Sequence, residues 1–282
     1  MRPCMSQATT LTTPFEADVV ALAQAGWDLV EIWLPKLETF LRQGSPAKAR
    51  SLLTDHGLTA AGAAGQGGLI STAGEARKAL REQYLRRLDL LAELAVPTLI
   101  LTADFPETPR PEMFGEAIEA LAEAAEQARQ RGVRLAFEFV STGKFATSLD
   151  TALALVTQAN AENLGLCLDL FHYYTGPSKF EDLAYLSPAN LFWVQVCDLS
   201  GTPRELAQDA DRILPGEGDF QLDPILDQLR TLGYDGPASL EVLNPDLWEI
   251  AADRVAPIAL QALMRTLGDR VNDPHAAREG PA

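Results

Sequence analysis

The stretch Leu164–Tyr174, LGLCLDLFHYY, alternates bulky and small residues and then reaches an acid, with a histidine three places on. In an extended chain Leu164, Leu166 and Leu168 share one face, and Gly165, Cys167 and Asp169 share the other, because successive side chains of a strand point to opposite sides. The leucine face needs a layer to pack against. A buried carboxylate without a partner costs several kcal/mol, so Asp169 has a partner, lies at a solvated strand end, or does chemistry.

The same pattern recurs on either side. In Arg134–Val140, Leu135, Phe137 and Phe139 oppose Arg134, Ala136 and Glu138; in Ala238–Leu243, Ala238, Leu240 and Val242 oppose Ser239 and Glu241. Leu191–Asp198, LFWVQVCD, sets Gln195 on the face of Trp193 and Cys197. Four further strands are expected at Ala8–Leu11, Leu29–Leu34, Leu58–Ala64 and Thr98–Ala103. Between the strands lie helical patterns, the longest being Glu75–Ala95 and Glu112–Gly132, rich in Ala, Leu, Glu and Arg. Gly26, Gly57, Gly132 and Gly233 fall where helices should stop. Eight strands, each followed by a helix or helical turn, predict an α/β fold, a single (β/α)8 TIM barrel over residues 1–270, with a flexible C-terminal tail at 271–282. A doubly wound sheet is the alternative, but no G-x-G-x-x-G follows the first strand.

Bulk composition narrows the function classes. The 282 residues carry a formal net charge of -16, which argues against nucleic acid or an anionic membrane as partner, since both demand a basic surface. Cys4, Cys167 and Cys197 are odd in number and lack framework spacing, which suggests a reducing, cytoplasmic setting. The N-terminus has no apolar signal region, and no run of 18 apolar residues occurs.

Barrel active sites lie at the C-terminal ends of the strands. The barrel therefore brings Glu138, Asp169, Gln195 and Glu241 to one mouth. Three carboxylates held together raise one another's pKa unless a cation sits among them. The donors are hard oxygens, which select Mn²⁺ or Mg²⁺ first, with Co²⁺ or Zn²⁺ as further choices, over a thiolate-type zinc site. The competing reading of any one strand-end acid is a solvated or capping group.

These residues, with AGWDLVEIWL, RLAFEF, NLGLCLDLFHYYTG, VQVCD, DRILPGEGDF and GYDGPASLEVLN, resemble the xylose isomerase-like barrels called sugar phosphate isomerases/epimerases. The likeness runs from about Gly26 to Leu243, and the four polar residues are separated by 31, 26 and 46 positions, similar to the family's pattern. The resemblance implies that Glu138, Asp169, Gln195 and Glu241 are metal ligands, that His172 faces substrate, and that Arg212 reaches its hydroxyl or anionic groups. Many members carry histidine where this chain has Gln195; an amide oxygen still suits a hard cation and occurs there in hydroxypyruvate isomerase-like and dehydroshikimate dehydratase-like branches. The resemblance also makes a homo-oligomer an open expectation. Glu31 and Trp33, ending the second strand, are expected to line the substrate pocket, with a core role as the competing reading of Trp33. Asp198 falls on the opposite face from Gln195 and reads as a supporting or loop group. The segment 60–74, AAGAAGQGGLISTAG, reads as a loop over the mouth.

A divalent ion that polarises a carbonyl stabilises the enediolate formed when the neighbouring proton leaves. The expected function is thus a divalent-metal-dependent isomerase or epimerase of a small polyhydroxylated keto or aldehyde substrate, sugar-like or sugar-phosphate-like. The resemblance to the epimerases implies that Glu138 and Glu241 form the acid/base pair, doubling as ligands, and in a dehydratase His172 is the better candidate for proton transfer. The alternatives are a dehydratase of the same fold, resembling 3-dehydroshikimate dehydratase, and a non-catalytic sugar-binding barrel. The abasic-site endonucleases that share the fold use a histidine-rich cluster, which three histidines and an acidic surface do not support.

Overall fold

The strand alternation closes into a ring. In the computed structural model, described here for residues 1–70, 74–105 and 108–268, the parallel strands β1 (Arg2–Ser6), β2 (Leu29–Trp33), β3 (Thr59–Gln66), β4 (Thr98–Thr102), β5 (Arg134–Glu138), β6 (Leu164–Asp169), β7 (Leu191–Val196) and β8 (Pro237–Leu240) pair in sequence order, and β8 pairs back with β1. The helices are α1 (Phe15–Ala25), α2 (Leu34–Leu41), α3 (Pro46–Asp55), α4 (Gly74–Glu93), α5 (Glu112–Arg129), α6 (Leu149–Ala159), α7 (Leu170–Thr175), α8 (Leu222–Thr231), α9 (Pro245–Trp248) and α10 (Ala252–Thr266). The fold is a (β/α)8 barrel. The expected tail at 271–282 lies outside the described residues.

Two apolar clusters separate the two strand faces. Leu135, Phe137, Leu164, Leu166, Leu168, Ala238, Leu240 and Val242 belong to the layer between strands and helices. Cys4, Leu29, Ala61, Ile100, Ala136, Cys167 and Trp193 fill the lumen. Each fully buried leucine of β6 contributes about 2 kcal/mol, so the outer layer more than offsets the few polar groups turned inward. Trp193 needs a gap in the lumen, and Gly62 on β3 supplies it: a Cβ there would lie 2.7 Å from the indole.

Two expectations are corrected. The first strand is Arg2–Ser6, not Ala8–Leu11. Pro3 is tolerated because it precedes the first β1–β2 pair, Cys4 with Leu29. The threonines that suggested a strand serve turns instead: Thr9 Oγ1 donates to Leu240 O at 3.2 Å and accepts from Val242 N at 2.9 Å. The segment 60–74 is also not all loop, since β3 extends to Gln66; its residues 71–73 lie outside the described residues. The helix stops hold. At Gly132, with φ of 70°, the Val133 N–H returns to Ala128 O at 3.0 Å.

Candidate active site

Asp169 is the last residue of β6 and the first to cap α7. Its Oδ1 accepts the Phe171 N–H at 2.7 Å, so the strand end and helix start share one carboxylate. One helical turn later His172 comes back over it, with Nε2 3.9 Å from Asp169 Oδ2 and 3.8 Å from Glu138 Oε1. Ligand atoms of Glu138, Asp169 and His172 all lie within 4.8 Å of one another. Glu138 ends β5 and accepts a hydrogen bond from its register partner Thr102, Oγ1 to Oε2, at 2.9 Å. Gln195 is the register partner of Asp169. Glu241 follows β8 directly and donates its backbone N–H to Val196 O at 3.1 Å. All five side chains are buried.

Arg212 enters from the segment after β7. It is 1 % exposed. Its Nη1 lies 2.8 Å from Asp169 Oδ2 and 3.6 Å from Glu241 Oε2, Nη2 lies 2.7 Å from Asp209 Oδ1, and its guanidinium covers the Phe171 ring at 4.4 Å. Nη2 also approaches His172 Nε2 at 3.5 Å. A guanidinium only donates, so that nitrogen faces it as an acceptor, while Nδ1 meets Ser141 Oγ at 3.2 Å. Asp198 holds this segment in place. Its backbone exchanges two hydrogen bonds with Ile213, and its carboxylate accepts the N–H groups of Leu199, Gly216 and Phe220 at 2.9, 3.0 and 3.0 Å. A Cβ at Gly218 would run into that carboxylate. Asp198 and PGEGDF are thus one clasp, and it presents Arg212.

The electrostatics are unbalanced. Burial pushes the Glu138 carboxyl well above its usual range, the Asp169 charge adds to this, and Arg212 opposes it. Burial likewise lifts Glu241 well up, with Glu31 adding. Burial also works against the Asp169 charge, but Arg212 and His172 hold that carboxyl below its ordinary value. Burial lowers His172, against the pull of Asp169. Despite the short approach of Arg212, Asp169 Oδ2 receives no well-aligned hydrogen bond. The Gln195 Oε1 meets the Cys167 thiol at 3.2 Å, a weak donor. Carboxylate oxygens of Glu138, Asp169 and Glu241, together with this amide oxygen, could hold a hard divalent cation, and their excess negative charge fits one.

Glu31 and Trp33, expected to line the substrate pocket, lie in different surroundings. Glu31 is 0 % exposed and sits in the lumen, bonded to Ser6, Trp193 and Gln195. Trp33 is half-buried and lines a cavity of about 670 Å³ with Leu11, Pro35, Phe40 and Lys48, among others; Glu138, Asp169, Gln195 and Glu241 are not in that lining. Sequence reasoning missed Ser6, Thr102 and Ser141. Ser6 and Thr102 end strands, which is the signal that could have found them.

The model of the xylose isomerase-like TIM barrel family matches residues 19–266. The chain belongs to this family. It is 24 % identical over 264 residues to an inosose isomerase of Halalkalibacterium halodurans, covering 92 % of this chain and 94 % of that one. It is 30 % identical over 236 residues to a 3-dehydroshikimate dehydratase of Pseudomonas aeruginosa, covering 79 % of this chain and 35 % of the dehydratase. A ketose 3-epimerase of Arthrobacter globiformis is 28 % identical over 242 residues, covering 79 % and 78 % of the two chains. Among solved structures, the IOLI protein with a bound zinc atom superimposes with a TM-score of 0.90 at 22 % identity, covering 97 % of this chain and all of that one. These xylose isomerase-like relatives include isomerases, epimerases and dehydratases. No helix among the described residues is long and apolar enough to cross a membrane.

Proposed function

We propose that this barrel is a divalent-metal-dependent isomerase or epimerase of a small polyhydroxylated keto or aldehyde substrate. The observation that carries this reading is the buried cluster of Glu138, Asp169 and His172 within 4.8 Å, with Asp169 Oδ2 lacking an aligned donor. Glu138, Asp169, Gln195 and Glu241 would hold the ion, Mn²⁺ or Mg²⁺ by the hardness of their oxygens. When bound, the ion supplies a Lewis acid for the substrate's carbonyl oxygen.

The rest is done by the chain's own groups. Glu138 and Glu241, buried at their strand ends, take the proton from the carbon beside the carbonyl and give it back. Return to the neighbouring carbon is isomerisation; return to the other face of the same carbon is epimerisation. Arg212 orients the substrate's hydroxyl or anionic group by charge-assisted hydrogen bonds.

A second reading, a dehydratase, is kept open by Gln195 in place of histidine and supported by the 30 % identity to the 3-dehydroshikimate dehydratase. There His172 Nε2, an acceptor 3.8 Å from Glu138 Oε1, would take the proton from the carbon beside the carbonyl and pass it to the departing hydroxyl. The test is incubation of the Mn²⁺-loaded protein in D₂O with a panel of keto-sugars, cyclic keto-polyols and dehydroshikimate, followed by NMR and ultraviolet absorbance. Deuterium at the carbon beside the carbonyl, with a rearranged product, supports the first reading. An absorbing aromatic product from dehydroshikimate supports the second, and neither outcome across the panel overturns both.

A further inference from the structure

Glu31 is a carboxylate whose oxygens are already taken by neighbours. It stands in β2, wholly buried, and among the described residues it has no ion-pair partner. Its oxygens are nevertheless fully engaged by side chains from two other strands. Trp193 Nε1 donates to Oε2 at 2.7 Å, and Gln195 Nε2 and Ser6 Oγ donate to Oε1 at 3.1 and 3.0 Å. Ser6 Oγ also lies 3.2 Å from Glu241 Oε1. Trp193 and Gln195 reach it from β7, which is not a neighbour of β2 in the ring, so these bonds cross the lumen. Burying a carboxylate without a cation is costly, and an apolar side chain could fill the same space.

What the carboxylate fixes is the orientation of an amide. Indole and amide N–H groups cannot accept, so both point their protons at Glu31. With Nε2 of Gln195 committed to Glu31, Oε1 is held on the other edge of the amide, where its partner is the Cys167 thiol at 3.2 Å. Metal-ligating groups are commonly held by a carboxylate that takes the N–H opposite the ligand atom. We infer that Glu31 is a positioning residue, which locks the Gln195 amide by its Nε2 and so leaves Oε1 as the edge on which a cation would draw. The inference rests on the metal reading proposed above.

The experiment is calorimetric titration of Mn²⁺ into metal-stripped protein, for the unsubstituted chain, Glu31→Gln, Gln195→Ala and the double variant, with a melting curve for each. In Glu31→Gln an NH₂ replaces one acceptor oxygen opposite an N–H donor. The indole cannot turn round, but the Gln195 amide can, which carries its oxygen away. Mn²⁺ affinity should fall about 10–100-fold, whereas in the Gln195→Ala background the same substitution should change it less than about threefold. Unchanged affinity in Glu31→Gln, or losses that simply multiply in the double variant, would overturn the inference alone. If the unsubstituted chain takes up no Mn²⁺, the metal reading fails and this inference falls with it. Should Glu31→Gln not fold, Trp193→Phe removes the other N–H from Glu31 while keeping a ring in the lumen. A several-fold weaker Mn²⁺ affinity is then expected, and an unchanged one overturns the inference.

Discussion

Lys36 and Asp18 form a buried ion pair in which the strong donors and acceptors are used up. Lys36 Nζ gives its three protons to Asp18 Oδ2 at 2.7 Å, Gln7 O at 2.9 Å and Thr10 O at 2.8 Å, and Asp18 Oδ1 accepts from Thr10 at 2.7 Å. Arg212 and Asp169 form a second buried pair, and it is not closed in this way. Asp169 Oδ2 lies 2.8 Å from Nη1 without an aligned hydrogen bond, Glu241 Oε2 lies 3.6 Å from the same nitrogen, and burial lifts the carboxyls of Glu138 and Glu241. The first pair ties the β1–α1 segment to α2 and has nothing left to offer. The second has capacity to spare, which is what a site for a further cation or a substrate needs.

That contrast can be broken by experiment. Lys36→Met strands a fully buried Asp18 and should cost about 3–5 kcal/mol, seen as a fall of roughly 10 °C in calorimetric Tm. Adding Mn²⁺ should not restore the difference from the parent chain. Arg212→Met should cost about 3 kcal/mol in metal-stripped protein. Here the same Mn²⁺ concentration should narrow the difference from the parent, because losing a cation from among Glu138, Asp169 and Glu241 favours the ion, and a tenfold tighter Kd is worth about 1.4 kcal/mol. Absence of rescue would place the two pairs in the same class. Glu241→Gln should leave Tm without metal within about 1 kcal/mol of the parent while Mn²⁺ affinity drops at least about tenfold and turnover is lost; full activity with unchanged affinity would remove Glu241 from the site. Asp209→Asn touches only the solvent side of Arg212, where the aspartate side chain is 46 % exposed. It should change the unfolding free energy from urea titration by less than about 1 kcal/mol.

The barrel and much of its mouth were legible because β5, β6 and β8 put apolar residues on one face and an acid at the end of the other. Their alternation tells both which face is inner and which end is the mouth. β1 was hidden by Pro3 and by a threonine run whose hydroxyls serve turns. The end of β3 was hidden for a different reason: Ala60 to Gln66 contains no bulky residue to show a period. The small side chains that blur the strand are also those that admit Trp193 to the lumen. For Glu31 the strand-end position was visible in the sequence and the cross-lumen partners were not. Trp193 and Gln195 are 162 and 164 positions away, and only closure of the ring brings them to it.

The hydrogen bond from Trp193 to Glu31 has an optical consequence. Of the four tryptophans, Trp27 and Trp248 donate their indole protons to the backbone carbonyls of Ala256 and Ala8, whereas Trp193 donates to a side-chain carboxylate. An indole held rigidly against an acid has an absorption edge and a near-ultraviolet dichroism that respond to the field of that acid. The barrel therefore carries its own chromophore beneath the mouth. A difference spectrum on adding Mn²⁺ or a trial sugar would follow events at the strand ends without any attached dye.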